Sequence, residues 1–123
     1  MNDDIEIKVK VEFINEQSHP AKNQFVYAYN IEISNTSEAP VQLLSRYWKV
    51  CDANEKIQEV RGEGVVGETP LIQPNESYAY TSGVVIETDT GTMGGYYIME
   101  RDNGEHFNAN IPTFALVQPG ALH

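Results

Sequence analysis

Residues 5–13 read IEIKVKVEF, with Ile5, Ile7, Val9, Val11 and Phe13 alternating with Glu6, Lys8, Lys10 and Glu12. A period of two puts the apolar set on one face of a β-strand and the charges in water; a helix would scatter it around the axis. The alternation returns in FVYAYNIEIS, residues 25–34. There Phe25, Tyr27, Tyr29, Ile31 and Ile33 share one face, and Ala28, Asn30 and Glu32 the other. Between these strands NEQSHPAKNQ is rich in turn formers, and Pro20 is barred from a ladder interior. VQLLSRYWKVC, residues 41–51, predicts a third strand, although Leu43 and Leu44 blur its alternation. DANEK turns the chain into a short strand, IQEVR.

Beyond residue 67, Pro70 and Pro74 frame a segment ending in the turn PNES. YAYTSGVVI, residues 78–86, reads as a strand in which Gly83 would mark a bulge. ETDTGTMGG, residues 87–95, reads as a loop. YYIMERDNGEHFNANI, residues 96–111, reads as a hairpin turning at Asn103-Gly104. Two registers are open there. A two-residue turn groups Tyr96, Ile98 and Glu100 with Phe107, Ala109 and Ile111. A three-residue turn including Glu105 groups Tyr97, Met99 and Arg101 with the same three, because a one-residue slip exchanges faces. Pro112 is expected to break the pairing before a last short strand. Seven or eight short strands with Pro, Gly and Asn turns argue for an all-β antiparallel sandwich with Greek-key connections.

The length of 123 residues suits one domain over 1–123. The formal net charge of −10 repels nucleic acid and anionic membranes at long range, so neither is an expected partner. No apolar run approaches the ~20 residues that span a bilayer. MNDDIEIKVK lacks the form of a signal peptide, and Cys51 stands alone, which together suggest a cytoplasmic setting.

GEGVVG, residues 62–67, spells GxGxxG, the string that cradles pyrophosphate in dinucleotide-binding domains. That cradle needs a helix after the third glycine, and Pro70 and Pro74 stand too close for one. Glu59, Glu63 and Glu68 would also repel phosphate. The expectation is a turn needing positive φ at its glycines. A second reading is an anion-binding nest of Gly62, Gly64 and Gly67 amides near Arg46 and Arg61.

Candidate chemistry elsewhere is sparse. Cys51 lacks a base, and His19, His106 and His123 have no metal spacing. No constellation assembles a catalytic site or calls for a cofactor, so the chain reads as non-enzymatic. Glu87 and Asp89 are the candidates for a hard cation; DNGE, residues 102–105, also offers oxygens but lacks the full calcium loop. Aromatics are the better lead: Tyr47 falls on one strand face, and Arg46 and Trp48 on the other. Trp48 either anchors a partner or sits in the core, as a lone Trp on a central strand often does. Tyr78 and Tyr80 share a face and pose the same choice.

The motifs RYW, EVRGEGVVGE, YTSG and the closing PGALH together resemble the ApaG family, over nearly the whole chain. The resemblance implies a fibronectin type III-like, immunoglobulin-like sandwich. It also implies links to cobalt and magnesium tolerance and to a diadenosine tetraphosphate hydrolase gene neighbourhood. Related domains in eukaryotic F-box and DNA-polymerase-delta-interacting proteins look like protein-binding modules. The expected function is protein binding through Arg46, Trp48, Arg61, Gly62, Gly64 and Gly67, with a second copy pairing along an edge strand as a further partner.

Overall fold

The computed structural model describes residues 4–118; the expectations for the extreme N-terminus, the closing tail and His123 lie outside them. Eight strands follow one another: β1 Ile5–Phe13, β2 Phe25–Asn35, β3 Val41–Asp52, β4 Ile57–Glu63, β5 Leu71–Ile72, β6 Ser77–Ile86, β7 Gly91–Arg101 and β8 His106–Leu116. Every pairing between them is antiparallel. One sheet runs β1-β2-β6. The other runs β4-β3-β7-β8, with the two-residue β5 on the same edge of β3 as β4.

The apolar faces of the two sheets meet in one cluster. Tyr27, Tyr29, Ile31 and Ile33 project from β2, and Val41, Leu43, Trp48 and Val50 from β3. Met93, Tyr97 and Met99 come from β7, and Ala109, Ile111 and Leu116 from β8. The alternation of β1 and β2 thus becomes burial on one side and solvation on the other. Trp48 lies 5.2 Å from Tyr29 across the sheets, with the Tyr97 and Phe114 rings edge-on to it. Offset and edge-on aromatic pairs of this kind add about 0.5–1.5 kcal/mol each beyond the area they bury.

Three local expectations are corrected. Gly83 makes no bulge, for it pairs with Ala28 in an unbroken ladder. A bulge lies instead at Leu44 of β3, where the register against β7 shifts between Leu43 and Ser45; the extra residue is what blurred the alternation of β3. Residues 91–95, read as loop because of their glycines, are the first half of β7. Pro112 does not end the pairing: β8 runs through it, and two residues, Pro112 and Thr113, face Gly94 at a second bulge on this edge strand.

The β7–β8 hairpin follows neither expected register. The turn is Asp102-Asn103-Gly104, closed by the Arg101 N–H donating to the Glu105 carbonyl at 2.8 Å, with Gly104 at φ +88°. Met99 pairs with Phe107 and Tyr97 with Ala109. The face grouping of the three-residue alternative holds, with the register shifted by two residues, and Tyr97 is the buried tyrosine.

Close approach of β7 to β3 requires Gly95. A Cβ there would sit 1.9 Å from the Tyr47 carbonyl oxygen, which is backbone and cannot swing aside. Gly95→Ala is expected to destabilise the protein by about 3 kcal/mol, at the upper end for overpacking. Gly104→Ala has open space around it and loses only about 1 kcal/mol for its left-handed φ. Urea unfolding of the two variants at constant m-value measures the difference.

Candidate functional site

The glycine string is a hairpin turn at the edge of the larger sheet. Val65 and Glu68 exchange two backbone hydrogen bonds, at 2.8 and 3.0 Å. The two residues between them both have positive φ, Val66 at 48° and Gly67 at 79°. That is a type I′ turn, whose twist matches its flanking strands. Gly67 suits the geometry. Val66, β-branched and 65% exposed, is strained in it. Gly64 also has positive φ, and a Cβ there would meet the Glu68 carbonyl oxygen at 2.1 Å.

Gly62 serves Arg46. The β3–β4 register sets these two residues opposite each other, and a Cβ on Gly62 would lie 2.8 Å from Arg46 Nη1. The guanidinium therefore lies over bare backbone. Its Nη1 donates to the carbonyls of Glu63 at 3.1 Å and Gly64 at 2.9 Å, holding the turn against β3. No carboxylate pairs with this half-buried arginine among the described residues. Arg61 goes elsewhere: opposite Tyr47, it lies on the outer face, its guanidinium 4.4 Å from the Tyr47 ring centroid and 3.7 Å from Glu59. The two arginines are on opposite sides of the sheet.

Trp48 shares the inner face with Arg46 but is only 2% exposed, so it is no outward anchor; core packing claims it. It does line a cleft of about 330 Å³ where the sheets part beneath the glycine turn. Arg46 comes from RYW, Val65 and Val66 from GEGVVG, and Tyr80 and Thr81 from YTSG. Three motifs that are far apart in sequence thus line one opening. Trp48 Nε1 is buried with no hydrogen-bond partner. A larger hollow of about 770 Å³ lies across the outer face of the β1-β2-β6 sheet, lined by Lys8, Lys10, Asn30 and Glu32. It is a broad concavity among solvated side chains, and only Tyr80 and Thr81 belong to both.

Deep in the cleft wall, the hydroxyls of Tyr80 on β6 and Tyr97 on β7 meet at 2.5 Å, an inter-sheet hydrogen bond. Burial pushes the Tyr80 phenol up to about 12, against relief from the Tyr97 hydrogen bond and nearby Arg46. Burial raises Tyr97 further, and its bond to Tyr80 adds to the rise. Sequence reading missed this pair, because only the sandwich brings β6 and β7 face to face.

The turn's amides are mostly occupied. Gly64 N–H donates to the Leu44 carbonyl, Val65 N–H to Glu68 and Glu68 N–H to Val65. At the cation candidates, Glu87 pairs with Lys56 at 3.0 Å and the Asp89 carbonyl accepts the Tyr27 hydroxyl. No three His, Cys, Asp or Glu side chains gather as a metal site among the described residues. Cys51 is half-buried, and His106 pairs with Glu100 at the surface.

A three-stranded sheet facing a β4-β3-β7-β8 sheet, with the cleft at its β4 side, defines an immunoglobulin-like sandwich of the fibronectin type III kind. A protein from Archaeoglobus fulgidus shares the fold, with a TM-score of 0.58 at 8% identity over 93% of this chain and 97% of that one. The ApaG domain profile matches residues 15–101. Protein ApaG of Shewanella sediminis is 50% identical over 123 residues, covering 100% of this chain and 98% of that protein. Protein ApaG of Dechloromonas aromatica is 50% identical over 119 residues, covering 97% and 94%. A crystal structure described as an ApaA protein from Bordetella pertussis superposes with a TM-score of 0.93 at 42% identity, over 96% of each chain. The chain belongs to the ApaG family. No helix among the described residues is long and apolar enough to cross a membrane.

The tyrosine pair gives a pH signature. An unfolded phenol ionises near 10, whereas folded Tyr80 holds its proton to about 12 and Tyr97 longer. Native protein therefore binds more protons than unfolded protein above pH ~10, and stability contributed by these groups falls as pH rises from there. In an alkaline titration, the phenolate absorbance of these two tyrosines is expected to appear together with unfolding rather than before it. Ionisation of all tyrosines ahead of loss of the β-sheet signal would refute this.

Proposed function

We propose that the chain is a non-enzymatic protein-binding module whose partner engages the glycine turn and the cleft below it, with β4 alongside. One observation carries this reading: RYW, GEGVVG and YTSG, separate in sequence, line the same opening. Val66 supports it. A β-branched residue at positive φ, projecting into water at the tip of the turn, costs stability with no packing in return. Strain of that kind collects where a surface is used. Of the five large hydrophobics exposed among the described residues, Ile57, Val60, Val66 and Leu71 follow this one edge, from β4 through the turn to β5. The charge of −10 favours a partner presenting basic groups, and the lone Cys51 fits a cytoplasmic setting.

A phosphate sensor at the turn finds less support, because three of its amides already bond to carbonyls and Arg46 Nη1 is held by two more. The cation reading likewise lacks a cluster of ligands among the described residues.

Val66→Asn tests the proposal by separating stability from binding. Asn tolerates the left-handed region and makes Asn-Gly, the preferred type I′ pair. The variant is expected to be about 1 kcal/mol more stable in urea unfolding. A photo-crosslinking side chain at Val66 should capture a partner in cells that the same group at Lys10, on the far sheet, does not. Val66→Asn protein should then compete about tenfold less well than wild type for that partner. Equal competition would remove the turn from the binding surface.

A further inference from the structure

We propose that β4 is a self-pairing edge, along which two copies of this chain join antiparallel about a two-fold axis at Val60. The inference uses the edge alone and does not depend on the cleft.

β4 is hydrogen-bonded only to β3, and all its residues but Gly62 are exposed. The direction of its free backbone groups follows from the bonds at its two ends. Asp52 N–H donates to the Lys56 carbonyl, and Gly64 N–H donates to the Leu44 carbonyl. In an antiparallel ladder the N–H and C=O of one residue point the same way, and successive residues alternate. Residues 56, 58, 60, 62 and 64 therefore face β3. Ile57, Glu59 and Arg61 direct their N–H and C=O groups outward, ready to accept another strand.

Charge selects the occupant and its register. Glu59 and Arg61 project from the same outer face, opposite Lys49 and Tyr47 of β3. With Val60 on the two-fold axis, Glu59 of each copy lies directly across from Arg61 of the other. Two reciprocal ion pairs form, between residues that exchange backbone hydrogen bonds, and Val60 meets its own counterpart on the inner face. Sliding one copy by two residues sets Glu59 against Glu59 or Arg61 against Arg61, which is destabilising. Sliding by one residue exchanges the faces. A slip of four residues would set Arg61 against Glu63, but it carries the pairing past Glu63, where β4 ends and Val65 is already bonded to Glu68. The Val60-centred register is the one that pairs the whole of β4 with opposite charges across from each other.

The overall charge of −10 opposes association at long range. Along β4 itself the charges are Glu59, Arg61 and Glu63, and screening over about 8 Å at physiological salt leaves the close Glu59–Arg61 pairs in control. A seven-residue edge buries well under the ~800 Å² per partner of a stable interface, so the dimer is reversible and concentration-dependent.

Sedimentation velocity across a concentration series up to about 1 mM, at about 0.15 M salt, tests this. Wild-type protein is expected to shift from monomer to dimer. Glu59→Arg and Arg61→Glu each place like charges opposite one another twice and should weaken the dimer at least about tenfold. The double variant Glu59→Arg/Arg61→Glu re-forms both pairs and should recover wild-type association. Both Glu59 variants lose the Glu59–Tyr47 hydrogen bond, so that loss cannot produce the recovery. Glu59→Pro removes an N–H that β3 does not use. It should abolish the dimer while leaving circular dichroism and thermal unfolding close to wild type. Wild-type protein that stays monomeric throughout, a double variant no better than the singles, or a dimer indifferent to Glu59→Pro would each overturn the proposal.

Discussion

The edge of this sandwich is organised by one arginine laid over one glycine. Arg46 reaches across to β4 and donates from Nη1 to two successive carbonyls, those of Glu63 and Gly64. It does so only because Gly62 offers no side chain. From that clamp the chain reverses through Gly64 and the Val66-Gly67 turn, and returns as β5 to pair with Val41 and Gln42. The cleft, the strained turn and the termination of β4 all depend on it. A hydrogen bond from a charged donor to a partly buried carbonyl is worth more than a neutral one, about 1.5–3 kcal/mol.

The GxGxxG string is thereby explained without a nucleotide. Its first glycine makes room for a guanidinium, its second allows backbone to touch backbone, and its third completes a type I′ turn. A dinucleotide cradle uses the same spacing for a different purpose, and it needs a helix whose N-terminus faces the anion. Here the chain leads into a two-residue strand. The same residues in the same order carry different physics because their neighbours differ.

The two sheets are fastened to each other differently at their centre and at this edge. At the centre, Trp48, Tyr29 and Tyr97 interlock as an aromatic cluster. Towards the cleft, the contact becomes polar, through the Tyr80–Tyr97 hydroxyl pair. Beyond that, β4 extends past the smaller sheet, which explains why Val60 is 42% exposed although it points inward. A sheet of three strands cannot cover both edges of a sheet four strands wide, and surface for partners arises from that mismatch.

Much of this was legible in the chain. A period of two is a local property, so the inward faces of β1 and β2 follow from residues 5–13 and 25–33 alone, and prolines after residue 67 exclude a helix without any coordinates. The glycine motif, with RYW and YTSG, was enough to indicate the family. What remained depended on neighbours that the sequence does not list side by side. The bulges at Leu44 and Gly94, the three-residue turn ending at Gly104 and the burial of Tyr97 are set by how facing strands share hydrogen bonds. Trp48 was ambiguous because either face of β3 could have been the inner one. Arg46 and Arg61, close in expectation, were separated by the pleat: Arg61 is opposite Tyr47 and shares its face, and adjacent residues such as Arg46 and Tyr47 point to opposite faces. Local pattern determines which residues form strands; only packing of one sheet against another decides which of them meet.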